Sequence, residues 1–91
     1  MINETTQNQS LQVYPTVLEN NYRKIILQLD AEELKNITIY DASGRQVQRI
    51  DQNTPQGERV EHEIDPLPSG LYHIRVHGLS GQSYLSKIIV R

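Results

Sequence analysis

Three histidines, several serines and a few paired carboxylates are the side chains of this 91-residue chain that could do chemistry. His73 and His77 share one face of an expected strand, yet four residues at roughly 3.3 Å each separate them by about 13 Å, too far for one metal ion. His62 has the parity of Val60 and Ile64, which makes it a part-buried, hydrogen-bonded sheet residue. A Ser/His/Asp site has no local signature. Gly78-Leu79-Ser80-Gly81 lacks the fifth position of a nucleophile elbow and falls in a hairpin rather than a strand-to-helix turn. Glu32 with Glu33, and Glu61 with Glu63, read as solvated turn and strand-face residues rather than a glycosidase pair. Asn36-Ile37-Thr38 has the form of a glycosylation acceptor, but it lies at a strand start and reads as a chance match. The absence of Cys removes disulfides, thiol catalysis and thiolate-bound zinc together. No glycine loop is built to cradle a phosphate. The residues therefore predict no enzyme, no metal site and no cofactor.

The elements that position these residues are strands. From Leu11 onward, short runs rich in β-branched residues alternate with turn signals every 8–12 residues or so, the pattern of an all-β sandwich or barrel. Seven strands are expected, over residues 11–14, 22–29, 37–40, 46–50, 59–64, 71–77 and 82–90. Period-two alternation puts Ile25, Leu27 and Leu29 on one face, Ile37 and Ile39 on another, and Tyr72, Ile74 and Val76 on a third. The opposite face of that last strand, with His73, Arg75 and His77, should see water. In the strand over 82–90 both faces carry apolar residues, Tyr84, Ile88 and Val90 against Leu85 and Ile89, which predicts a strand that is central in its sheet or covered on both sides.

Asp41-Ala42-Ser43-Gly44 suits a type I turn with Gly44 left-handed, and Leu79-Ser80-Gly81 a second hairpin. Asp30-Ala31-Glu32-Glu33-Leu34 has room for no more than about a turn of helix. Pro66-Leu67-Pro68-Ser69-Gly70 cannot be a central strand, because two prolines remove two ladder donors. Residues 51–58 read as a long, mobile polar loop.

Composition bounds the rest. A chain of this length buries only about 60–65 % of its unfolded surface, so one small domain without a deep cleft is expected. Leu, Ile and Val supply 25 residues, 16 of them β-branched, against two Ala, a balance that favours pleated strands over helices. Nine basic residues are scattered among eleven acidic ones with no stripe, which argues against nucleic acid or anionic lipid as partner. Met1-Ile2-Asn3-Glu4-Thr5-Thr6 has neither the basic nor the apolar region of a signal peptide. Two readings remain, a cytosolic protein or a piece of a longer exported chain.

Four blocks, in order, resemble the type A C-terminal sorting domain of the type IX (Por) secretion system of Bacteroidota. Leu11-Gln12-Val13-Tyr14-Pro15 looks like the family's opening strand and Tyr-Pro block, although Thr16 and Val17 stand where the family commonly continues with Asn-Pro. Ile39-Tyr40-Asp41-Ala42-Ser43-Gly44-Arg45-Gln46-Val47 is similar to its central hairpin. Leu67-Pro68-Ser69-Gly70-Leu71-Tyr72-His73-Ile74-Arg75-Val76 resembles its Gly-x-Tyr block, and Ser86-Lys87-Ile88-Ile89-Val90-Arg91 its basic-punctuated last strand.

Together with the strand count, the resemblance implies a seven-stranded antiparallel, immunoglobulin-like β-sandwich. It implies a non-catalytic secretion signal at the C-terminal side of a passenger domain. Such a domain crosses the inner membrane within its precursor, folds in the periplasm and is recognised by the outer-membrane type IX translocon. A sortase-like peptidase then commonly cleaves it, and the passenger reaches the cell surface, attached to lipopolysaccharide, or is secreted. On this reading residues 11–91 are the sorting domain, and residues 1–10 are a disordered linker or chain end that holds or adjoins the cleavage site.

The candidate translocon-recognition residues are Gly70, Leu71, Tyr72, Lys87, Ile88, Ile89, Val90 and Arg91. Tyr14, Pro15, Tyr40, Asp41, Gly44 and Arg45 belong to the family's structural motifs. The physical roles of these residues stand beside the resemblance. Gly70 can take a positive φ on entering a strand, and Tyr72 can pack in the core with its hydroxyl bonded at the rim. Asp41 and Gly44 suit the turn. Lys87, alternating with Leu85 and Ile89, either snorkels to water or is presented to a partner. Two alternatives use the same sandwich. One is a periplasmic interaction or regulatory module that binds a sensor, or itself as a homodimer through an edge strand. The other is a carbohydrate-binding module with an exposed tyrosine platform.

Overall fold

A computed structural model describes residues 10–19 and 23–91 of the chain. The elements are β1 (Leu11–Tyr14), β2 (Val17–Leu18), β3 (Lys24–Leu29), β4 (Leu34–Asp41), β5 (Gln46–Thr54), β6 (Arg59–Glu63), β7 (Gly70–Gly78) and β8 (Ser83–Val90). Two sheets face each other, one ordered β1-β3-β6 and the other β2-β8-β7-β4-β5. Alternation decides which side chains meet between them. Ile25, Leu27 and Leu29 of β3 face Ile37 and Ile39 of β4, Ile74 and Val76 of β7, and Ile88 of β8, all buried.

The expected count of seven strands is corrected to eight, and the sandwich is not wholly antiparallel. β2 pairs parallel with β8, Val17 opposite Ile89 and Leu18 opposite Val90. Ile89 N–H donates to the Thr16 carbonyl, and Arg91 N–H to that of Leu18. Two residues are too few to show a period, so nothing in the sequence marks β2. The chain reaches it from β1 through Tyr14 and Pro15, whose peptide bond is cis, crossing from one sheet to the other.

The polar loop expected over 51–58 is largely strand. β5 runs on to Thr54 because β4 starts at Leu34, three residues earlier than expected, and Leu34 pairs with Thr54 across a bulge. What remains of the loop is fastened to β3 and its turn. Gly57, at φ 78°, donates to the Leu29 carbonyl at 2.8 Å, and Gln56 Nε2 to the Asp30 carbonyl at 2.9 Å. Ala31 and Glu32 bend, and residues 30–33 form no helix. Position 22 of the expected second strand and positions 1–9 of the expected linker lie outside the described residues. Ser10 is described, and its carbonyl accepts the Asp30 N–H at 2.8 Å.

The hairpins form as their turn chemistry requires. Asp41 Oδ1 accepts the N–H of Ser43 at 3.0 Å, its hydroxyl at 2.7 Å and the N–H of Arg45 at 2.9 Å, while Gly44 sits at φ 91°. The Ser43 hydroxyl first, then the Arg45 N–H, hold the Asp41 carboxyl below its usual range.

Candidate recognition surface

The candidate residues lie on β7, β8 and the chain end just beyond, and the pleat divides them between two faces. Tyr72, Ile88 and Val90 point into the core and are buried. Leu71, Lys87, Ile89 and Arg91 are exposed, as is Gly70. Leu71 stands opposite Ile89 and His73 opposite Lys87, so these side chains share the outer face of the five-stranded sheet. Of the two expectations for β8, the structure has the central strand, between β2 and β7, and not the cover over both faces. Leu85 keeps 51 % and Ile89 46 % of its surface exposed, because among the described residues no layer is stacked on the outer side of the sheet.

The buried members are accounted for by the fold. Tyr72 is 5 % exposed, and its hydroxyl donates to the Pro68 carbonyl at 2.6 Å, fastening the Pro66-to-Gly70 crossing onto β7. Gly70 takes φ 154°, where a Cβ would be strained although space exists for it. Of the exposed cations, Arg91 pairs with Glu19 at 3.5 Å in a solvent-screened contact. Among the described residues no carboxylate lies within ion-pair distance of Lys87.

The motif residues spread over the molecule. Tyr14 lies on the outer side of the three-stranded sheet under the Arg59 guanidinium, 5.9 Å from its ring centre. Tyr40 lies on the outer side of the other sheet under Arg75, at 5.5 Å. The two half-exposed rings thus sit on opposite sides of the sandwich, and no pair of described tyrosines makes a flat platform. Arg45 extends beside Asp41 at 3.9 Å and is largely exposed.

Two polar clusters escape sequence reasoning. Glu32, expected as a solvated turn residue, accepts the Ser80 N–H at 2.7 Å, the Ser80 hydroxyl at 2.9 Å and the Tyr84 hydroxyl at 2.7 Å. The Tyr84 bond is the main cause that holds its carboxyl below the usual range. Burial first, and then that carboxylate, push the Tyr84 hydroxyl up to about 12. The partners are 48 and 52 residues away in sequence, so no local pattern announces the contact. On the outer face, His77 Nε2 lies 3.3 Å from the Thr38 hydroxyl. Burial, and then Arg75, Arg49 and Lys35, lower the His77 pKa. His62 is part-buried as expected, but its Nε2 has no partner among the described residues, and burial lowers its pKa. Among the described residues no group of three His, Asp or Glu could hold a metal ion. Among the described residues these polar groups fasten turns and strand ends, and the outer faces of the sheets offer surfaces for binding.

Residues 12–91 match the family described as Secretion system C-terminal sorting domain. No curated protein matches the chain. Among solved structures, a DUF3244 family protein from Bacteroides vulgatus with an immunoglobulin-like β-sandwich fold is similar at 18 % identity and a TM-score of 0.54, over 74 % of each chain. The sulfur carrier protein SoxY from Chlorobium limicola is similar at 16 % identity and a TM-score of 0.55, over 90 % of this chain and 77 % of that one. At these identities the two structures speak for the fold alone.

Proposed function

Because this chain belongs to the secretion system C-terminal sorting domain family, we propose that it acts as a folded address label that the outer-membrane type IX translocon recognises and that is itself chemically inert. A sorting domain of this family works with the type IX machinery on behalf of a passenger that precedes it, and export leads towards the cell surface or the medium. On our reading the domain folds in the periplasm, is recognised as a folded body, and is then cut from its passenger by a sortase-like peptidase in or beside residues 1–10. The passenger is then anchored at the surface. The domain is the substrate of that sequence and supplies no catalytic group.

The observation that carries the reading is the family match over residues 12–91. The sandwich fits the role physically: apolar side chains fill its interior, and its polar clusters are used in turns and strand ends. Recognition falls to the outward members of the candidate set, Leu71, Lys87, Ile89 and Arg91. Tyr72, Ile88 and Val90 support them from beneath.

The test fuses the full chain to the C-terminus of a periplasmic reporter in a type IX-competent bacterium and in a strain lacking the translocon. Reporter at the surface or in the medium of the first strain alone is the expected result. Periplasmic retention in both refutes the reading. A second reading, pairing of two copies through an edge strand, draws on the nine-residue edge strand β5. Sedimentation of the purified chain as a monomer at micromolar concentration would dismiss it.

A further inference from the structure

Along the outer face of the five-stranded sheet, the ladder aligns Val17 of β2, Ile89 of β8 and Leu71 of β7 in one cross-strand row. These are 37 %, 46 % and 38 % exposed, and Leu85, on the same face of β8, is 51 % exposed. Single exposed apolar side chains need no explanation, but a row across three strands marks a surface meant to be covered.

The same face collects cations that the sequence disperses. Leu85 is opposite Arg75, Arg75 opposite Thr38, and Thr38 opposite Arg49, so two guanidinium groups flank one buried threonine. Lys87 follows in the next row, beside His73 and Tyr40. The ladder places one carboxylate beside these rows, Asp51 in the row of Asn36 and His77, and it is bonded to Arg49 at 2.9 Å, while Glu19, just past β2, pairs with Arg91. Among the described residues, Arg75 and Lys87 have no carboxylate within ion-pair distance, in a chain whose net charge is −2. Arg75 is held over the Tyr40 ring, so part of its conformational freedom is lost before any partner arrives.

We propose that this face, with Arg75 and Lys87 beside Leu71, Leu85 and Ile89, docks an apolar patch rimmed by carboxylates on a folded partner protein. The inference rests on the sorting reading and deepens it by giving the chemistry of the recognising component. A second copy of the chain is a poor occupant, since face-to-face pairing would set Arg75 and Lys87 against like charges. A lipid surface is also disfavoured, because the tyrosine ring on this face, Tyr40, lies under the Arg75 guanidinium rather than free to insert, and two unpaired cations attract anionic headgroups only weakly. Strand addition would use an edge and leave this face open. With strands about 4.8 Å apart and same-face residues about 6.7 Å apart, the patch spans roughly 20 by 20 Å, or about 400 Å². That is near half the roughly 800 Å² per partner of a stable complex, as suits a contact made and released during transport.

The test uses the reporter fused to the full chain. Arg75→Glu/Lys87→Glu and Leu85→Ser/Ile89→Ser should each lower export about tenfold or more, while Lys24→Glu/Arg59→Glu on the other sheet, with the same charge change, stays within about twofold. Circular dichroism of the purified chains checks that all melt alike, and Arg75→Gln/Lys87→Gln, which keeps the bulk, should give an intermediate loss. If the unaltered chain is exported and both face variants are exported equally well, this inference fails and the sorting reading stands. If the unaltered chain is not exported, the sorting reading itself fails. Sedimentation of the unaltered chain with phosphatidylethanolamine–phosphatidylglycerol vesicles, abolished by the charge reversal, would assign the face to lipid and overturn the protein partner.

Discussion

Replacing Gly78 with alanine sets two opposite effects against each other. Gly78 ends β7 with φ outside the left-handed region, so alanine is compatible with its backbone. At an open site of that kind the substitution stabilises by about 0.4–1 kcal/mol, because it limits the unfolded chain. Here a Cβ would run into the Glu32 carboxylate, which the Ser80 N–H, the Ser80 hydroxyl and the Tyr84 hydroxyl hold in place. The carboxylate must then leave those donors or the hairpin must move, and overpacking of this sort costs about 1–3 kcal/mol. The clash outweighs the entropy gain over nearly all of that range, leaving Gly78→Ala less stable by about 0–2.6 kcal/mol. For a domain of this size the melting temperature should fall by about 4–8 °C per kcal/mol. In a Glu32→Ala background the obstacle is gone, and the same change at Gly78 should raise the melting temperature by a few degrees. Thermal unfolding followed by circular dichroism, with urea titration as a second measure, reads both cycles. A rise on Gly78→Ala in the native background, or the same fall in both backgrounds, would refute the reasoning.

Thr54 is 4 % exposed with no partner for its hydroxyl among the described residues, so Thr54→Val should gain about 1 kcal/mol in urea unfolding. Tyr72→Phe loses the bond to Pro68 and about 1 kcal/mol, whereas Tyr72→Ala empties a core position and loses about 3–5 kcal/mol; equal losses would mean that the ring does not pack as described. Folded-state His62 and His77 both titrate below 6.5, so the unfolded chain takes up protons first. Stability is therefore full above about pH 6.5 and declines as pH drops towards the folded values, and His62→Leu should flatten that decline in melts across the range. At lower pH the bonded carboxyls of Glu32 and Asp41 add a second loss as pH falls through their folded values, which Glu32→Gln should reduce.

Much of the sandwich is legible in the order of side chains, because burial on one face of a strand imposes a period of two. Ile25, Leu27 and Leu29 announce β3 in this way, and Tyr72, Ile74 and Val76 announce β7. The Asp41-to-Gly44 turn is legible because its hydrogen bonds reach no further than four residues. β2 is too short to carry a period. The extension of β5 to Thr54 depends on a partner, Leu34, that no local rule connects to it. Glu32 looks like any turn carboxylate until the β7–β8 hairpin folds back over it. The candidate site shows the same division. Alternation already separates Tyr72 from Leu71 and Ile88 from Ile89, but it cannot say that the outer face of β8 stays uncovered.

What the order of residues decided alone is the class of element, the turn chemistry and the motif blocks that mark the family, since each rests on contacts within a few positions of one another. The tertiary structure decided which charges are neighbours. Arg49, Arg75 and Lys87 lie 26 and 12 positions apart in a chain whose basic residues form no stripe. Lateral pairing of β5, β4, β7 and β8 brings them onto one face and carries most of the carboxylates elsewhere. Charge distribution on a sheet follows strand order and register, and those are set by which apolar faces bury one another across the whole chain.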